Sequence, residues 1–218
     1  METLDLKKGN QRLALLVLLA SLMGFSLTVL LRSSFSTIDA NVNSWSVSIH
    51  SPESTQIAIV IDYGFDTIPL LVFSLATAAY LLYKKRKGYA LLLLGAMAVD
   101  VALLALFRTL VYSPRPSDGL IIVQGYSFPS GHVMGSVVLF GLLTYFAWGH
   151  WKSSAARSLS GSLYLAISLV VGFDRIYLNV HWFSDVLGAY LLGISLLALS
   201  ILLLEKPDYF QPAGKMKE

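Results

Sequence analysis

The chain has 218 residues, of which 56% are hydrophobic and only 13% are charged, and its mean hydropathy is +0.67. Soluble domains carry about 25% charged residues, and a body of 23.9 kDa has too much surface to hide so large an apolar excess. The composition therefore excludes a soluble globular enzyme and indicates an integral membrane protein. Cysteine is absent, which excludes disulfides, thiolate metal sites and a cysteine nucleophile.

Six apolar stretches approach or reach the roughly 20 residues that a helix needs to cross a bilayer. In chain order they cover residues 13–31, 67–83, 89–107, 133–148, 159–173 and 182–204. The fourth and fifth are short, so we expect them to lie inside a bundle or to continue through polar ends. The first has a longer apolar run than a signal peptide, and we expect it to remain as a mature helix. The predicted fold is all-α, with six transmembrane helices forming one membrane-embedded domain over residues 1–218.

The basic residues predict the orientation of this bundle. If the N-terminus is cytoplasmic, twelve of the 16 Lys and Arg residues fall on the cytoplasmic side, which the positive-inside rule favours when both termini are cytoplasmic. These residues are Lys7, Lys8, Arg12, Lys84, Lys85, Arg86, Lys87, Lys152, Arg157, Lys206, Lys215 and Lys217. The run at 84–87 is typical of a stop-transfer signal that contacts anionic membrane lipids, so no nucleic-acid partner is predicted from the net charge of +3.

The longest segment between spans, residues 33–66, lies on the outer side in this topology. It mixes Ser, Thr and Asn with apolar residues such as Phe35, Trp45 and Ile49. That pattern predicts a short amphipathic helical element at the membrane interface, in a position to cover a site.

Four basic residues break the pattern by falling on the outer side: Arg32, Arg108, Arg115 and Arg175. Arg108 closes the third stretch, Arg115 lies in the loop that follows, and Arg175 lies just past the fifth stretch. A single arginine at such a level can simply reach lipid headgroups. Guanidinium groups also bind phosphate oxygens in pairs and keep their charge. The last three arginines together, beside two histidines, favour a site for a phosphate.

Both of these histidines stand at predicted helix starts on the same side. Positions 181 and 185 share a helix face, so Asp185 is expected to accept a hydrogen bond from one nitrogen of His181 and to leave the other as a nucleophile or base. Ser130 and Gly131, just before His132, predict a helix start whose N–H groups add an anion site. A simple turn with an N-cap, and a structural His–Asp pair, remain open for these residues. Two histidines and a carboxylate can also bind a metal, but three nearby arginines would repel it, so neither metal nor cofactor is predicted.

Three short motifs carry a family resemblance. The chain reads Arg108-x6-Arg115-Pro116, then Pro129-Ser130-Gly131-His132, then Asp174-Arg175-x5-His181-x3-Asp185. In order and spacing these resemble the K-x6-RP, PSGH and SR-x5-H-x3-D motifs of the type 2 phosphatidic acid phosphatase superfamily. The motif core spans residues 108–185. Arg108 replaces the family's lysine and Asp174 replaces its serine, so the role of Asp174 stays open.

The resemblance implies an integral membrane phosphatase that hydrolyses a lipid phosphate or diphosphate at the extracytoplasmic face without a metal. His181 would attack phosphorus to give a phosphohistidine, Asp185 would orient it, and His132 would protonate the leaving group and then activate water. The phosphoryl oxygens would be held by Arg108, Arg115, Ser130, Gly131 and Arg175. The candidate substrates are an undecaprenyl-type polyprenyl diphosphate, phosphatidylglycerophosphate and phosphatidic acid. Membrane lipids are the expected partners, and the oligomeric state is not indicated.

Two other functions fit parts of the sequence. An anionic-lipid transporter or flippase would use the same Arg and His cluster to bind without hydrolysis, but it predicts polar residues through the depth of the membrane. Only Asp100 lies deep in a predicted span, and pairing with a neighbouring helix explains it better than a proton relay. A vanadate haloperoxidase shares the family's anion pocket, but such relatives are soluble.

Overall fold

The computed structural model describes residues 2–149 and 151–205, with side chains from residue 11 onward. Lys206, Lys215 and Lys217, which the sequence placed on the cytoplasmic side, lie outside the described residues. All secondary structure in the described part is helical. The elements are α1 (Glu2–Leu30), a 3-10 turn (Arg32–Phe35), α2 (Ser36–Ser48), α3 (Pro52–Phe65), α4 (Thr67–Tyr83), α5 (Lys87–Val111), α6 (Gly131–Trp148), α7 (Ser154–Tyr177) and α8 (Phe183–Leu204).

Five of these helices, α1, α5, α6, α7 and α8, are long and apolar enough to cross a membrane. Helices α3 and α4 pass the same test together but are bent by 47° at their junction, so the number of spans is five to six. The prediction of an all-α, multi-pass fold is confirmed. Helix α7 runs from Ser154 to Tyr177, so the short fifth stretch does continue through polar ends.

Helix α6 is the centre of the bundle and is buried along most of its length. Small residues let its neighbours approach closely, which is how helices associate where lipid removes most of the hydrophobic driving force. A Cβ on Gly193 of α8 would lie 3.1 Å from Val137 of α6, and one on Gly141 of α6 would lie 2.5 Å from Leu197 of α8. Helix α1 packs along α8, where Ser21 and Ser195 share a 2.8 Å hydrogen bond.

The two ends of the bundle differ in character. At one end, which carries the basic run at 84–87, Gln11 donates a hydrogen bond to the carbonyl of Glu205 and Tyr145 donates to its carboxylate. The other end gathers the last turns of α1, α5 and α7 and the first turns of α6 and α8. The residues singled out by the sequence lie at this second end, called here the site end.

The segment 33–66 folds into a 3-10 turn and two helices rather than one short element. Helix α2 packs on the site end of α7 and α8: the Ser46 hydroxyl donates to the Ile176 carbonyl at 2.8 Å, and Asp39 accepts from the Ser184 amide and hydroxyl, each at 2.8 Å. Helix α3 packs beside α7 and ends at Phe65, and the carboxylate of the next residue, Asp66, caps α4. The segment therefore does cover the site end, while its position at a membrane interface stays a prediction.

Candidate active site

His181 and Asp185 meet at the start of α8, but His181 lies outside the helix, so the two do not share a helix face as their spacing predicted. The helix begins at Phe183 with Trp182 as its N-cap, so His181 lies in the preceding turn. Asp185 Oδ2 accepts the Trp182 backbone N–H at 2.9 Å and lies 3.6 Å from His181 Nδ1, which is beyond a normal hydrogen bond. Both side chains are almost fully buried. The predicted pair is close, but the predicted hydrogen bond is not formed.

The other imidazole nitrogen of His181 is turned towards Arg115. His181 Nε2 lies 3.2 Å from Arg115 Nη1. Because a guanidinium only donates, Nε2 is the acceptor and Nδ1 carries the proton that faces Asp185. Burial lowers the pKa of His181 from its ordinary value of 6.5 to about 4. Asp185 opposes this shift, while the charges of Arg115 and Arg175 add to it. His181 is therefore neutral at neutral pH and presents a lone pair at Nε2.

Arg115 is fixed by backbone carbonyls rather than by a carboxylate. Its three nitrogens donate to the carbonyls of Val180 at 2.7 Å, Gly125 at 3.1 Å and Tyr126 at 3.2 Å. Burial, followed by the charge of the nearby Arg108, lowers the pKa of Arg115 to about 10. Among the described residues, neither Arg108 nor Arg115 has a carboxylate within 4 Å. Two neighbouring cations without such a partner form a site suited to an anion.

The start of α6 faces these arginines. Ser130 is the N-cap and the helix begins at Gly131. A Cβ on Gly131 would lie 2.8 Å from Leu104 Cδ2 and 3.6 Å from Arg108 Nη2, so glycine at this position leaves room for the close approach of α5 to α6. The Ser130 hydroxyl and Arg108 Nε are buried and have no hydrogen-bond partner in the part of the chain that the structure describes. A helix N-terminus, an unpartnered hydroxyl and a guanidinium thus converge in the arrangement that binds oxyanions.

His132 and Arg175 belong to a second group, organised by carboxylates. Asp62 Oδ1 accepts from Arg175 Nη1 at 2.5 Å and lies 3.1 Å from His132 Nε2. Arg175 also donates to Asp174 Oδ2, through Nε at 3.0 Å and through Nη2. Asp174, whose role the sequence left open, is therefore the partner of Arg175. The arginine predicted to bind phosphate is directed at two carboxylates in this structure.

Sequence reasoning missed two residues that contact this site, Arg32 and Asp62. Arg32 Nη2 donates to Asp185 Oδ1 at 2.6 Å. The available signal for Arg32 was the same one that singled out the other arginines, a basic residue on the outer side. Asp62 lies in the segment that was assigned to an interfacial element, and its only signal was a carboxylate among apolar residues.

One further prediction concerns Asp100, a polar residue near the site. Asp100 is buried between α5 and α6, and a Cβ on Gly135 would lie 3.6 Å from its Oδ2. Its Oδ1 has no hydrogen-bond partner in the described part of the chain, so the expected pairing with a neighbouring helix is not seen. No group of three or more His, Asp or Glu side chains among the described residues is arranged to hold a metal ion.

The fold and the site together define a multi-pass, all-helical membrane protein in which a cluster of arginines surrounds the buried His181 at one end of the bundle. The chain belongs to the PAP2 superfamily, whose family model matches residues 89–208. Its fold is similar to a crystal structure of a transmembrane PAP2 type phosphatidylglycerolphosphate phosphatase from Bacillus subtilis. The TM-score is 0.81 at 24% sequence identity, and the match covers 89% of this chain and 98% of the other.

Two curated relatives are named as a phosphatase and a diphosphatase. Phosphatidylglycerophosphatase B of Bacillus subtilis is 29% identical over 134 residues, which is 61% of this chain and 64% of that protein. Undecaprenyl-diphosphatase of Sulfolobus acidocaldarius is 34% identical over 99 residues, which is 43% of this chain and 38% of that protein. The chain thus spans less than two thirds of the length of each of these curated relatives.

Proposed function

We propose that the protein is a metal-independent phosphatase that hydrolyses a lipid phosphate or diphosphate. The observation that carries this proposal is His181, which is buried and neutral and presents Nε2 beside Arg115. A nucleophile needs an unprotonated nitrogen, and the phosphoryl group needs cations that no carboxylate already occupies. Arg108, Arg115 and the start of α6 supply those cations and donors.

In the proposed mechanism, His181 Nε2 attacks phosphorus while the bond from phosphorus to the leaving oxygen breaks. His132 gives its proton to that oxygen, and Asp185 stabilises the positive charge that develops on the imidazole of His181. His132, now neutral, takes a proton from water, whose oxygen attacks the phosphohistidine and breaks the phosphorus–nitrogen bond. Phosphate leaves, and both histidines return to their starting states.

The depth of the site favours a lipid substrate. It lies at the ends of apolar helices, which is the level of lipid phosphates in a bilayer. The relatives are named for phosphatidylglycerophosphate and undecaprenyl diphosphate, and phosphatidic acid completes the set of candidates. The basic run at 84–87 marks the opposite end of the bundle, which supports placing the active site on the extracytoplasmic face. The proposed phosphatase is one membrane-embedded unit.

The test is phosphate release from all three lipids by the purified protein in detergent, with and without a chelator. We expect turnover of at least one lipid, no effect of the chelator, no turnover in His181→Asn and a loss of about 100-fold or more in His132→Asn. His50→Asn is the matched control, because His50 binds the Tyr177 carbonyl outside the site. Full activity in either site variant would contradict the mechanism. Lipid binding without phosphate release by the wild-type protein would favour a transporter.

A further inference from the structure

We propose that Arg32, the first residue of the 3-10 turn after α1, is a positioning residue for catalysis that holds Asp185 in register with His181. This inference rests on the proposed phosphatase function and assigns Arg32 no contact with phosphate. Arg32 lies outside residues 89–208, the part of the chain that matches the family model, and outside the three motifs.

The two oxygens of Asp185 have different partners. Oδ2 accepts the Trp182 N–H and faces His181 Nδ1, while Oδ1 accepts Arg32 Nη2 at 2.6 Å. Asp185 is fully buried. Without Arg32, its carboxylate would be held by a single backbone N–H, so it would be free to rotate away from His181 and its buried charge would be poorly compensated. Arg32 supplies a charge-assisted hydrogen bond to the oxygen that does not face the histidine. Arg32 thereby fixes the direction of Oδ2, the oxygen that faces His181 Nδ1.

Arg32 is itself held on two further sides. Its Nη2 donates to the Ser113 hydroxyl at 2.5 Å, and Ser127 in turn donates to the same hydroxyl at 2.7 Å. Its guanidinium carbon lies 4.6 Å from the centre of the Phe128 ring, which is a cation–π contact. Phe128 is fully buried and directly precedes Pro129 of the second motif. Arg32 therefore ties α1 to the loop before α6 and to the start of α8.

These contacts distinguish Arg32 from an arginine that only reaches lipid headgroups. A headgroup anchor extends into the interface and remains largely exposed. The Arg32 side chain is instead 21% exposed and bonded to a carboxylate that is 0% exposed. Helix α1, which ends two residues before Arg32, packs along α8 through the Ser21–Ser195 hydrogen bond, so the guanidinium extends from a backbone that is held in place.

The experiment compares kcat and KM of Arg32→Gln, Arg32→Lys and Arg32→Ala on whichever lipid the wild-type protein hydrolyses. For Arg32→Gln, kcat should fall about 10- to 100-fold while KM changes by less than about twofold, because the contact acts through Asp185. Arg32→Lys keeps one charged donor and should retain more of kcat. Added guanidinium ion should restore part of the kcat of Arg32→Ala, whereas the same concentration of sodium chloride should not.

The matched control is Arg12→Gln, the same substitution on α1 at about 30 Å from Arg32. Arg12 is exposed, and its loss should leave kcat unchanged. Size-exclusion profiles and thermal unfolding in detergent show which variants are folded; if Arg32→Ala is not, the comparison of Arg32→Gln with Arg32→Lys decides.

Wild-type kcat in Arg32→Gln would overturn the inference, as would equal losses in Arg32→Gln and Arg32→Lys without rescue by guanidinium. A rise in KM at unchanged kcat would also overturn it, because it would make Arg32 a substrate ligand. A wild-type protein that releases no phosphate would instead overturn the proposed function.

Discussion

Replacing Gly188 with alanine tests how tightly α8 is packed against the second motif. Gly188 lies on α8, and a Cβ there would be 2.4 Å from Cε2 and 2.6 Å from Cζ of Phe128. Carbon atoms in contact are about 3.5–4 Å apart, so the ring would have to retreat by about 1 Å. It has no room to do so, because it is fully buried, stacks on Phe25 at 5.8 Å and lies under the Arg32 guanidinium.

The size of the effect follows from a matched pair of variants. Gly95→Ala on α5 places its Cβ where no atom lies within 4 Å. Both variants gain the same helix propensity, about 1 kcal/mol, so their difference isolates the contact with Phe128. Overpacking of this kind costs about 1–3 kcal/mol, and we expect Gly188→Ala to be less stable than Gly95→Ala by that amount.

Activity provides a second measurement on the same pair. Displacing Phe128 moves both Pro129 and the surface that supports Arg32, and a shift of about 1 Å in catalytic groups costs up to about 100-fold in rate. Gly188→Ala should therefore lose about 10- to 100-fold in phosphate release, while Gly95→Ala keeps wild-type activity. Thermal unfolding in detergent and the lipid assay measure the two effects. Equal stability and equal activity of the two variants would refute this account of the packing.

Two further predictions concern acid stability and topology. Because the pKa of His181 falls from 6.5 unfolded to about 4 folded, only the unfolded chain binds this proton between those values, and stability is lost as the pH falls. Between about pH 7 and about pH 5, the unfolding free energy of the wild-type protein should fall by about 2 kcal/mol more than that of His181→Gln. Denaturation of both proteins at both pH values measures this difference. An equal fall in the two proteins would contradict the assigned pKa. The chain has no cysteine, so single cysteines report topology cleanly. An impermeant maleimide should label Ser117→Cys in intact cells and Ser154→Cys only after lysis, and the reverse would contradict the predicted orientation.

The sequence was sufficient for the parts of the fold that depend on local rules. A span must be long and apolar whatever its neighbours are, so hydropathy identified the helices that became α1, α5 and α8. The start of α6 at Gly131 was likewise predictable, because Ser130 is a favoured N-cap. The observed helix boundaries differ from the predicted ones where polar residues extend a helix. Arg175, for example, lies within the last turn of α7 and not beyond it.

The missing parts of the site depend on distant residues. Arg32 and Asp185 are 153 positions apart, and Asp62 and Arg175 are 113 apart. No local spacing links such pairs, because their contact is created by the way α1 and α3 pack against α8 and α7. Arg32 and Arg108 shared one sequence signal, a basic residue on the outer side. Because the sequence did not reveal Asp185 as the partner of Arg32, nothing separated Arg32 from a residue that only departs from the positive-inside pattern.

The arginines at the site end form two groups, those bonded to a carboxylate and those without one. Arg32 and Arg175 are bonded to Asp185, Asp174 and Asp62, and such pairing offsets part of the cost of burying guanidinium groups. Arg108 and Arg115 have no carboxylate within 4 Å among the described residues, and they lie beside Gly131 and His181 Nε2. In the proposed mechanism, a phosphoryl group would therefore reach Arg108 and Arg115 without displacing a carboxylate. Arg175 Nη1 already donates to Asp62, so in the proposed mechanism a phosphoryl group would compete with that carboxylate for Arg175.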